Sequence, residues 1–406
     1  MTSAGPGAGV AVGAQALALS LDVSAVPAQP VGAGRYTIDL VHALAGRPEV
    51  SLVLWCRRGD ADRWAALGGA SVRAVAPARR PLRLAWEQLR LPRRLAAAGV
   101  DVHHGPHYTM PERTRLPTVV TVHDLTFLDH PEWHERTKVP VFRRAIRVAA
   151  RRADAVICVS GRTAARFEEL CAPRARVFVA PHGVDGHRFR PGPVAGEGPG
   201  QPGDDVWLER LGARPPYVLF LGTLEPRKAV PDLVAAFDRI AGGRAGLSLV
   251  LAGRDGWGAD TVTEAVAAAR HGARVVRVGY VPDAAVPALL RGAAAVAYPS
   301  REEGFGLPAL EALACGAPLV TTAGTAMEEV SGGAALLVAP GSVPELAEAL
   351  STVVDGDPGV AGRRRLGLEA VARHTWAASA AAHVEAYRWA AARSACAPPG
   401  RRGEAR

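Results

Sequence analysis

An α/β fold of two doubly wound, Rossmann-like halves facing a cleft is predicted by three features of the sequence. Short β-branched runs alternate with longer alanine- and leucine-rich helical stretches along the chain. Most of those runs are continuously apolar rather than alternating, as expected of parallel strands covered on both faces. The alternation breaks at PGPVAGEGPGQPGDD (191–205), where Pro, Gly and acidic residues cannot build a core, and then restarts. At 406 residues, 49% of them hydrophobic, the chain is also too long for one ordinary core. The expected division is a first domain over 1–190, a linker over 191–205, a second domain over 206–373, a helix over 374–395 and a disordered tail over 396–406.

Taken in order, the first twenty residues carry no Lys or Arg before their apolar part, which argues against a signal peptide. They read as a disordered start, or a mis-set start codon, running into a first strand. Strands follow at SLVLW near 51, TVVTV near 118, AVICVS near 155 and RVFVAP near 176. After the linker come YVLFLG near 217, LSLVLAG near 247, RVVRVG near 274, AAVAYPS near 294 and PLVTT near 318. HTWAASAAAHVEAYRWAA (374–391) reads as a last helix with Trp376, Tyr387 and Trp389 as packing anchors.

Composition excludes several classes. The cysteines (Cys56, Cys158, Cys171, Cys315, Cys396) lie far apart, with no Cys-x-x-Cys and no zinc-ligand spacing, which suits a reduced cytoplasmic protein. No apolar stretch reaches the roughly 18 residues of a membrane span. The net charge of +9 and pI of 9.8 point to an anionic partner. Arginines bunch in ARRPLRLAWEQLRLPRRL and in HERTKVPVFRRAIRVAARR, where Val139, Phe142, Ile146 and Ala150 recur at helical spacing opposite them. That makes 134–152 a basic amphipathic segment suited to an anionic membrane surface, or simply a solvated face. No zinc finger, RNA-recognition signature or aromatic-interleaved basic stripe appears, so nucleic acid is not expected as a partner.

The stretch SREEGFGLPALEALACG (300–316) places Glu303 in a loop at a strand's carboxyl end. Glu311 falls about one turn into the following helix, with Pro308 near its start and Gly316 as its stop. Taken alone, the two read as a solvated loop residue and a half-buried helix residue. Their surroundings decide otherwise. Gly304 and Gly306 let the backbone approach a ligand, the helix's free amides favour an anion, and a carboxylate accepts hydroxyls. Arg227 and Lys228 follow the strand YVLFLG directly, Gly253 and Gly256 end another, and Gly279, Tyr280 and Val281 end a third. A ligand carrying phosphate and vicinal hydroxyls is implied, namely a nucleotide sugar.

These residues, with VGAGRYTIDLVHAL, TVHDLTFLDHPEW, VSGRTAARF, PHGVD, LGTLEPRK and EEGFGLPALEALACGAPLV in that order, resemble the retaining GT-B glycosyltransferases of the family 4 type with the E-x7-E motif. The resemblance runs over nearly the whole chain. It implies that Arg227 and Lys228 hold the donor pyrophosphate, Glu311 the ribose hydroxyls and Glu303 hydroxyls of the transferred sugar. The amides of Gly304, Phe305, Gly306 and Leu307 would cradle donor oxygens, Gly253 would border the donor, and Gly279, Tyr280 and Val281 would border the base. The first half would carry the acceptor, and the last helix would cross back onto it. His123 becomes a neighbour of the anomeric carbon, with Asp124 beside it, and Gly32, Gly34 and Arg35 a loop approaching phosphate. His182, Gly183 and Asp185 are read as shaping the interdomain turn.

Cleavage of the bond between anomeric carbon and phosphate builds negative charge that fixed cations and helix amides can stabilise without a metal. The Asp-x-Asp tripeptides at Asp60 and Asp355 lie in turn-like contexts, and no metal or other cofactor is expected. The resemblance is to mannosyl- and rhamnosyltransferase-like members, so the donor is a GDP-sugar first and a UDP-sugar second. The acceptor is a glycan, a lipid-linked species or a small molecule. Two alternatives stay open: a nucleotide-sugar epimerase of the same fold, and a basic membrane-surface or nucleic-acid binding protein.

Overall fold

The computed structural model describes residues 16–30, 32–192 and 202–395. The expected disordered start, the centre of the linker and the tail from Cys396 lie outside the described residues. The first half runs β1 (Leu17–Asp22), α1 (Ala33–Ala45), β2 (Val50–Arg57), α2 (Ala61–Ala65), β3 (Ala70–Ala76), α3 (Arg80–Leu89), α4 (Leu91–Ala98), β4 (Val102–Gly105), β5 (Thr118–Val122), α5 (Thr126–Asp129), α6 (Val139–Arg152), β6 (Ala155–Cys158), α7 (Gly161–Cys171) and β7 (Arg176–Val179). Its strands form one parallel sheet in the order β3-β2-β1-β4-β5-β6-β7.

The second half runs α8 (Asp204–Arg210), β8 (Tyr217–Leu221), α9 (Val230–Ala241), β9 (Ser248–Ala252), α10 (Asp260–Ala268), β10 (Val275–Gly279), α11 (Val286–Gly292), β11 (Ala295–Tyr298), α12 (Leu307–Ala314), β12 (Leu319–Thr322), α13 (Ala326–Ser331), β13 (Leu336–Val338), α14 (Val343–Val354), α15 (Gly359–Val371) and α16 (Trp376–Ala395). Its six parallel strands are ordered β10-β9-β8-β11-β12-β13. Both halves are therefore doubly wound, and the central strands β5, β6, β11 and β12 are buried at every residue, which is why they read as unbroken apolar runs.

α16 lies against the first half through a buried polar chain. The Tyr387 hydroxyl bonds His104 Nδ1 (2.8 Å), His104 Nε2 bonds Thr121 Oγ1 (2.8 Å), and Thr121 bonds Tyr36 Oη (2.9 Å). Tyr36 then bonds His383 Nε2 (2.7 Å), and His383 Nδ1–H donates to the Ser379 carbonyl (2.7 Å). A carbonyl only accepts, so with neutral rings every proton in the chain points from Tyr387 toward Ser379. Protonating either histidine turns its acceptor nitrogen into a donor, which reverses the bond to the tyrosine hydroxyl and leaves that hydroxyl's proton without an acceptor in the chain.

Acid therefore weakens the fold. Burial lowers His103 and His107 to about 3 and His383 to about 4, and lowers His104, His123 and His182 too, whereas an unfolded histidine titrates near 6.5. Their stabilising effect is present above about pH 6.5 and is lost as the pH falls toward the folded values. Burial raises Glu87 and Glu311 to about 8, Asp39 to about 6, and Asp22 and Asp232 as well, which acts in the opposite direction, but the lowered histidines, seven with His134, outnumber these five carboxyls. Between pH 6.5 and 5, stability is expected to fall by about 1.4 kcal/mol per pH unit for each net proton. Urea midpoints across that range check this; a flat profile would contradict it.

Candidate active site

The carboxyl ends of β10, β9, β8 and β11 stand side by side and face the first half. Past β8, Pro226–Lys228 form a single tight turn before α9, which begins with Val230 and Pro231. Past β11, residues 299–306 form the loop that leads into α12, and Gly306 at its N-cap takes φ +98°, a left-handed conformation that favours glycine.

The two loops meet at Glu303, whose side chain is nearly buried. Arg227 Nη1 donates to Glu303 Oε2 (2.6 Å) and to the Glu302 carbonyl (2.9 Å), Arg227 Nη2 to Glu225 Oε1 (2.9 Å), and Lys228 Nζ to Glu303 Oε1. Burial by itself would raise the Glu303 carboxyl, but Arg227 and Lys228 outweigh it and hold the group at about 2. Burial would likewise lower Arg227, yet Glu303, Glu225 and Asp124 raise it. At neutral pH Glu303 and Arg227 are therefore charged, so Glu303 is no proton donor. Its carboxylate holds two cations in one place.

The amides of Gly304, Phe305 and Gly306 donate to no acceptor among the described residues. Together with the start of α12 they form a set of donors suited to an anion. One turn in, the Glu311 carboxylate makes no hydrogen bond or ion pair among the described residues. Burial pushes it up to about 8, Arg35 pulls it down, and Asp39 and Asp283 push it further up. Burial thus favours the protonated form, and a carboxylic acid both donates to and accepts from a vicinal pair of hydroxyls. The Tyr298 hydroxyl is buried without a hydrogen-bond partner among the described residues, and its ionisation is opposed by burial and by both glutamates.

At β8 and β9, the glycines serve a role the sequence reading did not assign. A Cβ on Gly253 would lie 1.9 Å from the Gly222 carbonyl oxygen, and one on Gly256 would lie 2.7 Å from Thr223. Leu224 N–H donates to Arg254 O (2.9 Å) and Gly256 N–H to Leu224 O (3.0 Å). The close approach is thus of protein backbone to protein backbone, and it fixes the loop that carries Arg227 and Lys228. Tyr280 is exposed at the end of β10 with Arg254 over its ring at 4.6 Å, while Val281 is buried.

On the first half, Gly32 caps α1, and Gly34 and Arg35 lie in its first turn rather than in a free loop. Gly34 is buried, and a Cβ there would press on Pro30 (3.2 Å) and Pro27 (3.3 Å). Arg35 pairs with Asp283 across the cleft and approaches Asp39 (3.7 Å). His123 Nε2–H donates to the Pro106 carbonyl (2.8 Å), so its Nδ1 is a bare acceptor, and burial lowers its basicity. Asp124 accepts from Thr126 N–H (3.2 Å) and Oγ1 (2.9 Å), which starts α5.

Two residues not assigned to the site belong to its wall. The Tyr36 ring stands 4.9 Å from His123 and 4.7 Å from His182, and His182 stands 4.4 Å from Phe305. The sequence signal for them was thin, since Tyr36 follows Arg35 in a helix and His182 sits in PHGVD. The Asp-x-Asp segments lie on ion pairs, Asp60 with Arg57 (2.6 Å) and Asp355 with Arg244 (2.5 Å). Among the described residues no three His, Cys, Asp or Glu side chains cluster to hold a metal ion, and no helix is long and apolar enough to cross a membrane.

Comparison with known proteins agrees with this architecture. Residues 30–188 match Glycosyltransferase Family 4 and residues 215–355 match Glycosyl transferases group 1. The O-antigen chain mannosyltransferase B of Escherichia coli is 30% identical over 327 residues, 77% of this chain and 84% of that protein. The GDP-mannose-dependent alpha-(1-6)-phosphatidylinositol monomannoside mannosyltransferase of Mycobacterium tuberculosis is 33% identical over 233 residues, 55% of this chain and 58% of that protein. Among solved structures, a sucrose-phosphate synthase from Thermosynechococcus elongatus superposes with a TM-score of 0.73 at 21% identity, covering 92% of this chain and 98% of that one. The Anabaena HepE protein in complex with UDP and glucose superposes with a TM-score of 0.69 at 20% identity, covering 94% of this chain and 100% of that one. The chain belongs to the group 1 glycosyltransferases, enzymes that transfer glycosyl groups, and it carries their GT-B fold.

Proposed function

We propose that the chain moves a hexosyl group, mannosyl before others, from a nucleoside-diphosphate sugar to a glycan or lipid-linked acceptor, with retention at the anomeric carbon. The observation that carries this reading is the Arg227–Lys228–Glu303 cluster beside the unengaged amides of Gly304 to Gly306. As the bond from anomeric carbon to phosphate breaks, the electron pair leaves with the diphosphate. Arg227, Lys228 and the amides at the start of α12 stabilise that charge where it develops. The acceptor hydroxyl oxygen attacks the carbon on the face the diphosphate vacates, and its proton passes to the departing phosphate oxygen. Glu311 receives the ribose hydroxyls, Glu303 the sugar hydroxyls, and the bare Nδ1 of His123 accepts from a sugar hydroxyl. Because the chain supplies its own cations at the leaving group, turnover is expected to persist in EDTA.

GDP is favoured as the base carrier by the mannosyltransferases among the relatives. The lipid-linked acceptor is favoured by one face of the first half. Leu82 and Leu89 are 57% and 63% exposed, Arg80 stacks on Phe142 at 5.7 Å and so joins α3 to α6, and exposed arginines flank both helices. A basic face with protruding apolar side chains suits an anionic membrane surface. The test is release of diphosphate from GDP-mannose and UDP-glucose, with acceptor lipids in anionic vesicles. Turnover should be selective for one donor and should fall as salt rises. Equal, negligible turnover of both, at any salt, would sink the reading.

A further inference from the structure

The strand β6 ends in VSGRT, and Ser160 there is the N-cap of α7, its hydroxyl accepting from Thr163 N–H (3.1 Å). Such a cap satisfies one free amide of the first turn and leaves others exposed. In this fold the remaining donors are engaged from across the cleft. Gly161 N–H and Arg162 N–H donate to the two carboxylate oxygens of Glu329 on α13 (2.8 and 3.0 Å). Arg162 Nε and Nη2 form a two-pronged pair with Glu302 (2.9 Å each). Ser160 Oγ and Thr163 Oγ1 both donate to the Gly304 carbonyl (2.7 and 3.0 Å). Three residues of the first turn, Ser160, Arg162 and Thr163, thereby take hold of the segment 302–304, whose middle residue is Glu303.

We propose that Ser160, Arg162 and Thr163 are positioning residues for glycosyl transfer, reaching the reacting atoms only through Glu303 and its loop. The contacts exist only when the halves are together. Grip on Glu302 and Gly304 fixes the carboxylate that holds Arg227 and Lys228, and it aims the amides of Phe305 and Gly306. The second half alone has every group for the diphosphate, so a nucleotide binds before closure. Transfer follows only once α7 has set the loop. The Arg162–Glu302 pair is partly exposed and contributes little to stability; its value lies in geometry, where a displacement near 1 Å costs on the order of 10²-fold in rate.

This rests on the donor site proposed above, and the experiment separates the two. Arg162→Gln, the double variant Ser160→Ala/Thr163→Val and wild type are compared for GDP and UDP affinity by calorimetry and for kcat with saturating donor and acceptor. Arg162 is half exposed, so its variant is not at risk of unfolding, and the double variant tests the Gly304 contact independently. The expected result is a nucleotide Kd within about threefold of wild type and a kcat lower by on the order of 10- to 100-fold in both variants. Arg162→Lys, which keeps the charge but not the fork, should recover part of the loss. Wild-type kcat in both variants, or a Kd that weakens in step with kcat, overturns the positioning role alone. Failure of the wild type itself to bind any nucleoside diphosphate overturns the donor site, and the positioning role with it.

Discussion

Replacing Lys228 by alanine is expected to lower the rate of glycosyl transfer on the order of 10²-fold or more, and replacing Arg227 to do the same or worse. Both side chains are mostly buried, at 14% and 13% exposed, and both bond the Glu303 carboxylate. In water such a cation would be worth little to a leaving phosphate. In a cleft the low dielectric strengthens it, and the pairing with Glu303 means that no reorganisation is needed at the moment of bond breaking. Arg227 carries a second burden, since it also bonds the Glu302 carbonyl and Glu225. Either variant leaves Glu303 with a single cationic partner, but loss of Arg227 also strips the Glu302 carbonyl and the Glu225 carboxylate of theirs. Lys228→Ala is therefore the cleaner probe of catalysis and Arg227→Ala of both catalysis and folding. Steady-state turnover at saturating donor decides it; rates within threefold of wild type in both variants contradict the assignment.

Gly304→Ala is expected to abolish productive closure with a similar loss in kcat, although it adds a single methyl. That methyl would lie 1.6 Å from the His123 carbonyl oxygen and 2.7 Å from its carbon, far inside the roughly 3.5 Å of ordinary contact. Neither neighbour is a side chain that can swing aside. His123 follows β5 directly, and Gly304 is held by Ser160 and Thr163. The two halves must part, which separates His123 from the donor loop. Nucleotide affinity should change far less than kcat, because the diphosphate donors all belong to the second half. Equal turnover by Gly304→Ala and wild type would show that the halves do not meet here during transfer.

Much of the fold was legible because the buried parallel strands β2, β5, β6, β8, β9, β11 and β12 stand out as apolar runs. Three strands escaped for physical reasons. β3 (ASVRAVA) is an edge strand with an alternating, partly exposed pattern, β4 (VHHG) carries two buried histidines where an apolar run would be expected, and β13 is three residues long. The proposed donor face was readable for a different reason: glycine and charge recur at successive strand ends. What the sequence could not convey is partnership. Arg227 and Glu303 are 76 positions apart, and each looks like a ligand group until the structure shows them bonded to each other. Gly253 and Gly304 read as approach points for a ligand, whereas the carbonyls they admit belong to Gly222 and His123. Tyr36, His182, Arg162 and Glu329 acquire meaning only from how the two halves dock, and no local pattern encodes that.

The account stands on one claim, that the cations past β8 receive the diphosphate of a sugar donor. It is tested most directly by the thermal stabilisation of wild type and Lys228→Ala with GDP, UDP, ADP and dTDP, with and without Mg²⁺. One diphosphate should raise the melting temperature of the wild type selectively, without need of Mg²⁺, and should leave the variant unmoved. A shift of equal size in Lys228→Ala, or none from any diphosphate in the wild type, would contradict it.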